Sequence, residues 1–96
     1  MKNYKVYHNQ SSKYLFLPYS MVENNDYNIT LDDYELVCCG KVEYAPTNHM
    51  LENIFQLFNG DIVSMLNTRS LSVSDVIEID GKFYYVDNIG FVEICL

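Results

Sequence analysis

The twelve residues VIEIDGKFYYVD, Val76 to Asp87, decide the fold. Asp80 and Gly81 stand where a two-residue type I′ turn needs two left-handed residues, a conformation in which glycine carries no Cβ penalty. So short a loop sets the register of both strands: Ile79 opposite Lys82, Glu78 opposite Phe83, Ile77 opposite Tyr84, and Val76 opposite Tyr85. Side chains alternate between faces along a strand, so Ile77, Ile79, Tyr84 and Val86 share one face, which is expected to meet a helix. Val76, Glu78, Phe83, Tyr85 and Asp87 share the other, a mixture of rings and carboxylates. That second face is either covered, with the segment around Leu15 to Met21 as one candidate, or presented to a partner.

Working outward, NIGFVEI adds a turn at Gly90 and a last strand that puts Val92 and Ile94 together. Upstream, APTNHMLENIFQLFNGD carries Met50, Leu51, Ile54, Phe55, Leu57 and Phe58 at helical spacing, an apolar stripe that must pack on something. Thr47 or Asn48 is expected to cap this helix and Gly60 to end it. IVSML, residues 62–66, reads as another short helical turn. DYELVCCGKVEY, Asp33 to Tyr44, reads as a strand with a bulge or bend at Gly40. NYKVYH near the N-terminus alternates as a strand. Pro18 divides KYLFLPYSMVE into an extended piece to Leu17 and a turn or short helix from Tyr19 to Glu23. NNDYN is expected to be an exposed loop. The sum is an α+β fold: a curved antiparallel sheet of four to six strands with one main helix, about Asn48 to Asn59, on one face.

Composition bounds the function. The 96 residues make one small domain with little room for a cleft plus a cofactor. Thirteen acidic residues against six basic ones give a formal net charge of -7, and Arg69 is the sole arginine. That balance opposes direct nucleic-acid binding, which depends on Lys and Arg at phosphates. It suits a basic protein surface, or it serves only to keep a chain with nine tyrosines in solution. The N-terminus lacks the apolar core of a signal peptide and no apolar run is long enough to span a membrane, so a cytoplasmic protein is expected. Cys38 and Cys39 are neighbours on a strand and point to opposite faces, which suits neither a disulfide between them nor a shared metal. With Cys95 they are expected to be buried or half-buried thiols in a reducing compartment. The ten asparagines and single alanine fit AT-rich coding DNA, as in low-GC bacteria and their mobile elements.

Catalytic patterns are absent: no metal-binding His-Glu-x-x-His, no phosphate-cradling glycine loop, no nucleophile elbow. A Cys38–His8 dyad requires neighbouring strands, and Asp26, Asp32 and Asp33 read more readily as solvated loop charges than as a cation site. No catalytic residue, metal or cofactor is assigned. The carboxylates and tyrosines instead suit Arg and Lys on a partner, through ion pairs and cation-π contacts.

The run SLSVSDVIEIDGKFYYVDNIGFVEI resembles the C-terminal signature of YodL-like domains, and DYELVCCGKVE and LENIFQLFNGD resemble that family's tyrosine-bearing strand and following helix. The resemblance spans about Tyr34 to Ile94 and, with weaker agreement before it, makes residues 1–96 one such domain. It implies an accessory of conjugative elements, plasmids or phage-related islands, often beside antirestriction modules, and supplies no catalytic residues. The expected function is therefore a non-catalytic inhibitor of a host DNA-defence nuclease, a CRISPR effector or a restriction enzyme. Its expected contact residues are Glu78, Asp80, Tyr85 and Asp87 on the hairpin, with Asp26, Asp32, Asp33 and Glu35 as a second patch. The alternative is a regulatory module docking with other proteins of its own element. An RNA-binding role, suggested by the hairpin's shape, is opposed by the charge. Monomer and homodimer both remain open.

Overall fold

The computed structural model describes residues 1–60, 65 and 68–96. Five strands among these residues form one open antiparallel sheet: β1 (Lys2–Asn9), β2 (Tyr34–Val42), β3 (Val76–Ile79), β4 (Lys82–Val86) and β5 (Phe91–Ile94), in the spatial order β2-β1-β3-β4-β5. Two helices accompany them, α1 (Tyr19–Asn24) and α2 (Thr47–Leu57), with a single helical turn at Leu31–Asp33. The α+β reading holds. So does the hairpin: the four pairs between β3 and β4 are those that the two-residue turn demands, with Asp80 at φ 51° and Gly81 at φ 79°.

The two faces of the sheet are buried by different means. On one, Met50, Leu51, Ile54 and Phe58 of the α2 region pack on Tyr4, Val6, Val42, Ile77, Ile79, Tyr84 and Val86. Each fully buried aliphatic side chain there contributes about 1.5–3 kcal/mol relative to exposure, so this layer dominates the stability. On the other face, the chain between β1 and β2 folds back over part of the sheet and buries Tyr14, Val22 and Tyr85, with Leu17, Tyr19, Tyr27, Ile29 and Tyr34 around them. Tyr85 stacks edge-on against Tyr19 at 5.4 Å and its hydroxyl donates to the Leu17 carbonyl at 2.5 Å. The second face is therefore covered over Tyr85, by the segment flanking Pro18.

Several local expectations need correction. The N-cap of α2 is Pro46, with no side-chain cap among the described residues; the Pro46 carbonyl accepts from His49 and Met50, leaving Thr47 and Asn48 inside the first turn. At the other end the Asn59 amide donates to the Phe55 carbonyl at 2.7 Å, and the left-handed glycines of the described chain are Gly81 and Gly90, not Gly60. Gly40 is no bulge either. The register slips between Val6 and Tyr7, opposite Cys38 and Leu36, which leaves Val37 as the extra residue. Gly40 sits opposite Tyr4, whose ring lies so close that a Cβ on Gly40 would stand 2.6 Å from the hydroxyl oxygen. The three thiols are free, but only Cys38 is half-buried; Cys39 and Cys95 are exposed, because β2 is an edge strand and Cys95 lies beyond the last one. Apart from exposed Met65, the short helical turn expected at 62–66 lies outside the described residues. Among the described residues no helix is long and apolar enough to cross a membrane.

Candidate functional site

The ladder separates the candidate carboxylates. β3 and β4 carry Asp80 at one end of the sheet and Asp87 at the other, so the hairpin does not gather them. Asp80 is paired with Lys2 at 2.6 Å. Glu78 is half-buried and accepts from the Tyr7 hydroxyl at 3.0 Å; burial, reinforced by this carboxylate, pushes the Tyr7 phenol up to about 12. Asp87 accepts from the backbone N–H groups of Tyr19 and Asn88 at 3.0 and 2.8 Å, clamping the start of α1 to the end of β4. Tyr85 is fully buried and offers nothing to a partner, since alternation directs it into the layer described above.

The second patch is brought together in part. Asp26 and Asp33 line one cleft of about 470 Å³ with Lys13, Tyr14 and Tyr27. Asp26 occupies a left-handed position, φ 54°, a conformation that short polar side chains tolerate, at the tip of the loop after α1. The Asp33 carboxylate, half-buried, accepts from the Tyr14 hydroxyl at 2.8 Å; burial and then this bond hold the Tyr14 phenol above its ordinary range. The rings of Tyr14 and Tyr27 lie 6.4 Å apart, tilted by 32°, and form the apolar part of the wall. Asp32 and Glu35 are exposed nearby in sequence but do not line the cleft. Among the described residues no group of three or more His, Cys, Asp or Glu side chains is placed to hold a metal ion. Cys38 pairs with Val6 and His8 with Glu35, so the ladder does not set the thiol opposite the imidazole.

A third cluster was not anticipated. Asp75 is completely buried and accepts four hydrogen bonds: two from the Arg69 guanidinium, both at 2.7 Å, and one each from the backbone N–H of Asn9 at 2.9 Å and Ser72 at 2.8 Å. The planar guanidinium fork matches the carboxylate geometry. Ser74, also buried and left-handed at φ 83°, accepts from the Phe16 N–H through its hydroxyl and from the Tyr34 hydroxyl through its carbonyl. Beside this lies His8, 3% exposed, with Nε2 unpartnered among the described residues and 4.0 Å from Asp75. Burial pushes its pKa below 6.5; the Asp75 and Glu35 charges oppose the shift and Arg69 adds to it. With every acceptor position of Asp75 occupied, the cluster acts as a clamp joining the end of β1, the loop before β3 and the covering layer. The clue in the sequence was a serine-rich turn, Ser70, Ser72 and Ser74, between the sole arginine and the aspartate that directly precedes Val76 and Ile77.

No curated protein and no solved structure matches the chain. The family model for the YodL-like domain matches residues 1–96, wider than the stretch from Tyr34 to Ile94 that carries the sequence resemblance. The matched region takes in β1 and the covering layer as well as α2 and the hairpin, and the chain therefore belongs to the YodL-like domain family.

Proposed function

We propose that the protein is a non-catalytic, mobile-element inhibitor of a host DNA-defence nuclease, of the CRISPR or restriction type, acting through the cleft between Tyr14, Tyr27, Asp26 and Asp33. The observation that supports this reading is the meeting of two carboxylates and the half-buried Tyr27 ring around one cleft, with Lys13 as its single cation, a chemistry in which acid is in excess and which suits an arginine or lysine side chain. A net charge of -7 would draw the domain toward a basic nucleic-acid channel and speed encounter. Asp26 is the group to perturb, because Asp33 also holds Tyr14. The mobile-element setting is the part of the proposal that the family resemblance and the asparagine-rich, alanine-poor composition support.

The test is transformation of a targeted plasmid into bacteria carrying one CRISPR nuclease or one restriction enzyme, with and without the protein. Restored transformation that is lost with Asp26→Lys and weakened with Asp26→Asn, which suits the left-handed position and keeps the thermal midpoint, supports the proposal. Full protection by Asp26→Lys would remove the cleft from it. Failure of the wild type across a panel would transfer the cleft to the alternative partner class, a protein of the same mobile element, to be sought by pull-down with its neighbours.

A further inference from the structure

We infer that Phe16 is a preorganised aromatic anchor that enters an apolar pocket on the partner protein, beside the basic residue received by the cleft. Phe16 is 56% exposed and left-handed at φ 65°, a backbone conformation that a bulky side chain adopts only when its surroundings impose it. Those surroundings are unusually determinate. The Phe16 N–H is held by the hydroxyl of buried Ser74 at 3.0 Å, and the Arg69 guanidinium lies over the ring, 5.7 Å from its centre. Arg69 is itself fixed by two bonds to buried Asp75. The backbone is thus held by buried Ser74 and the ring lies against the half-buried Arg69 side chain, while more than half of the residue faces outward.

A ring needed only for packing would turn inward, as Tyr14 does two residues earlier. Here strain and hydrogen bonds keep it out. Aromatic side chains dominate the energy of protein interfaces, and one already fixed in its bound position loses little entropy on docking. Tyr14 lines the acidic cleft, so the anchor and the cleft are carried by the same stretch of chain. The inference rests on the protein-binding reading above and adds a second, apolar contact to it.

The experiment measures binding of wild type, Phe16→Ala, Phe16→Gly and Asp26→Lys to a panel of purified CRISPR and restriction nucleases, with a thermal midpoint for each variant. Binding weakened at least about thirtyfold in both Phe16 variants, with an unchanged midpoint in Phe16→Ala and a raised one in Phe16→Gly, supports the inference. A Phe16→Ala that binds within about twofold of wild type while Asp26→Lys does not bind overturns the anchor and leaves the cleft standing. Loss in the Phe16 variants with Asp26→Lys unaffected upholds the anchor and removes the cleft. A midpoint that falls in both Phe16 variants makes the residue structural and overturns the inference, as does a wild type that binds no member of the panel.

Discussion

Asp75→Asn attacks the clamp at its centre. The substitution preserves volume but removes the charge opposite Arg69 and replaces one acceptor oxygen by an NH2 donor. Either orientation of the new amide turns that donor toward a backbone N–H, of Asn9 or of Ser72, and toward one arm of the guanidinium. A buried donor left without an acceptor costs about 1–3 kcal/mol, and breaking a buried ion pair about 3–5 kcal/mol. The Arg69 side chain is 35% exposed, so water relieves part of the second cost, and the two overlap because they share one carboxylate. A loss of about 3 kcal/mol results, a large share of the roughly 5–15 kcal/mol that holds such a domain. In a chain of this size it corresponds to a fall in Tm of about 12–24 °C. Urea unfolding followed by far-UV circular dichroism should show a lower midpoint at constant slope. Arg69→Met alone should also destabilise, and the double variant should lose at least about 1 kcal/mol less than the sum. A loss below about 1 kcal/mol in Asp75→Asn, or strict additivity of the pair, would refute the clamp.

Acid should weaken the fold through His8. Its folded-state pKa lies below 6.5, so the unfolded chain takes up the proton first; the stabilisation is complete above that value and is lost as pH falls below it. Unfolding free energies measured between about pH 7.5 and about pH 5, above the ordinary carboxylate range, should decline in the wild type and much less in His8→Gln; stability that rises on acidification contradicts the assignment. Gly40→Ala should cost about 1–3 kcal/mol, because its Cβ would meet Tyr4 Oη at 2.6 Å and Cζ at 2.7 Å while the Tyr4 ring is held edge-on by Phe58. A variant with wild-type Tm would show that the ring is free to move aside.

What could be read from the residues was what local chemistry determines. Asp80 and Gly81 specify a turn, and the turn specifies four strand pairs; the α2 stripe follows from spacing except at Leu57, which falls at the edge of the stripe and is exposed. Helix ends were less legible, because Pro46 displaced the expected Thr47 or Asn48 cap and a side-chain bond from Asn59 took the place of a left-handed Gly60. The covering layer was visible only as one of two options for the Tyr85 face, since the sequence around Pro18 has no period to place it. The site suffered most. A carboxylate carries no local mark of whether it will face solvent or a partner within the chain, so Asp80, Glu78 and Asp87 were indistinguishable from Asp26 until Lys2, Tyr7 and Tyr19 were brought to them. The Asp75 clamp joins residues as far apart as Asn9 and Asp75, beyond the reach of any window of sequence.

The position of β1 inside the sheet governs how the protein is made. β1 pairs with β2 on one side and with β3 on the other, and its Tyr7 meets Glu78 across a separation of 71 residues. The closure of so long a loop has to precede the contacts that reward it, which places the domain among slow, non-local folders. On the ribosome, β1 and β2 can join early, but the inner edge of β1 stays unpaired until residue 79 has emerged. For that interval the nascent chain presents an open strand bearing Tyr4 and Val6, a template for pairing with other chains. Any lengthening of the time spent with that edge open is therefore expected to raise the risk of aggregation, whatever the stability of the finished sheet.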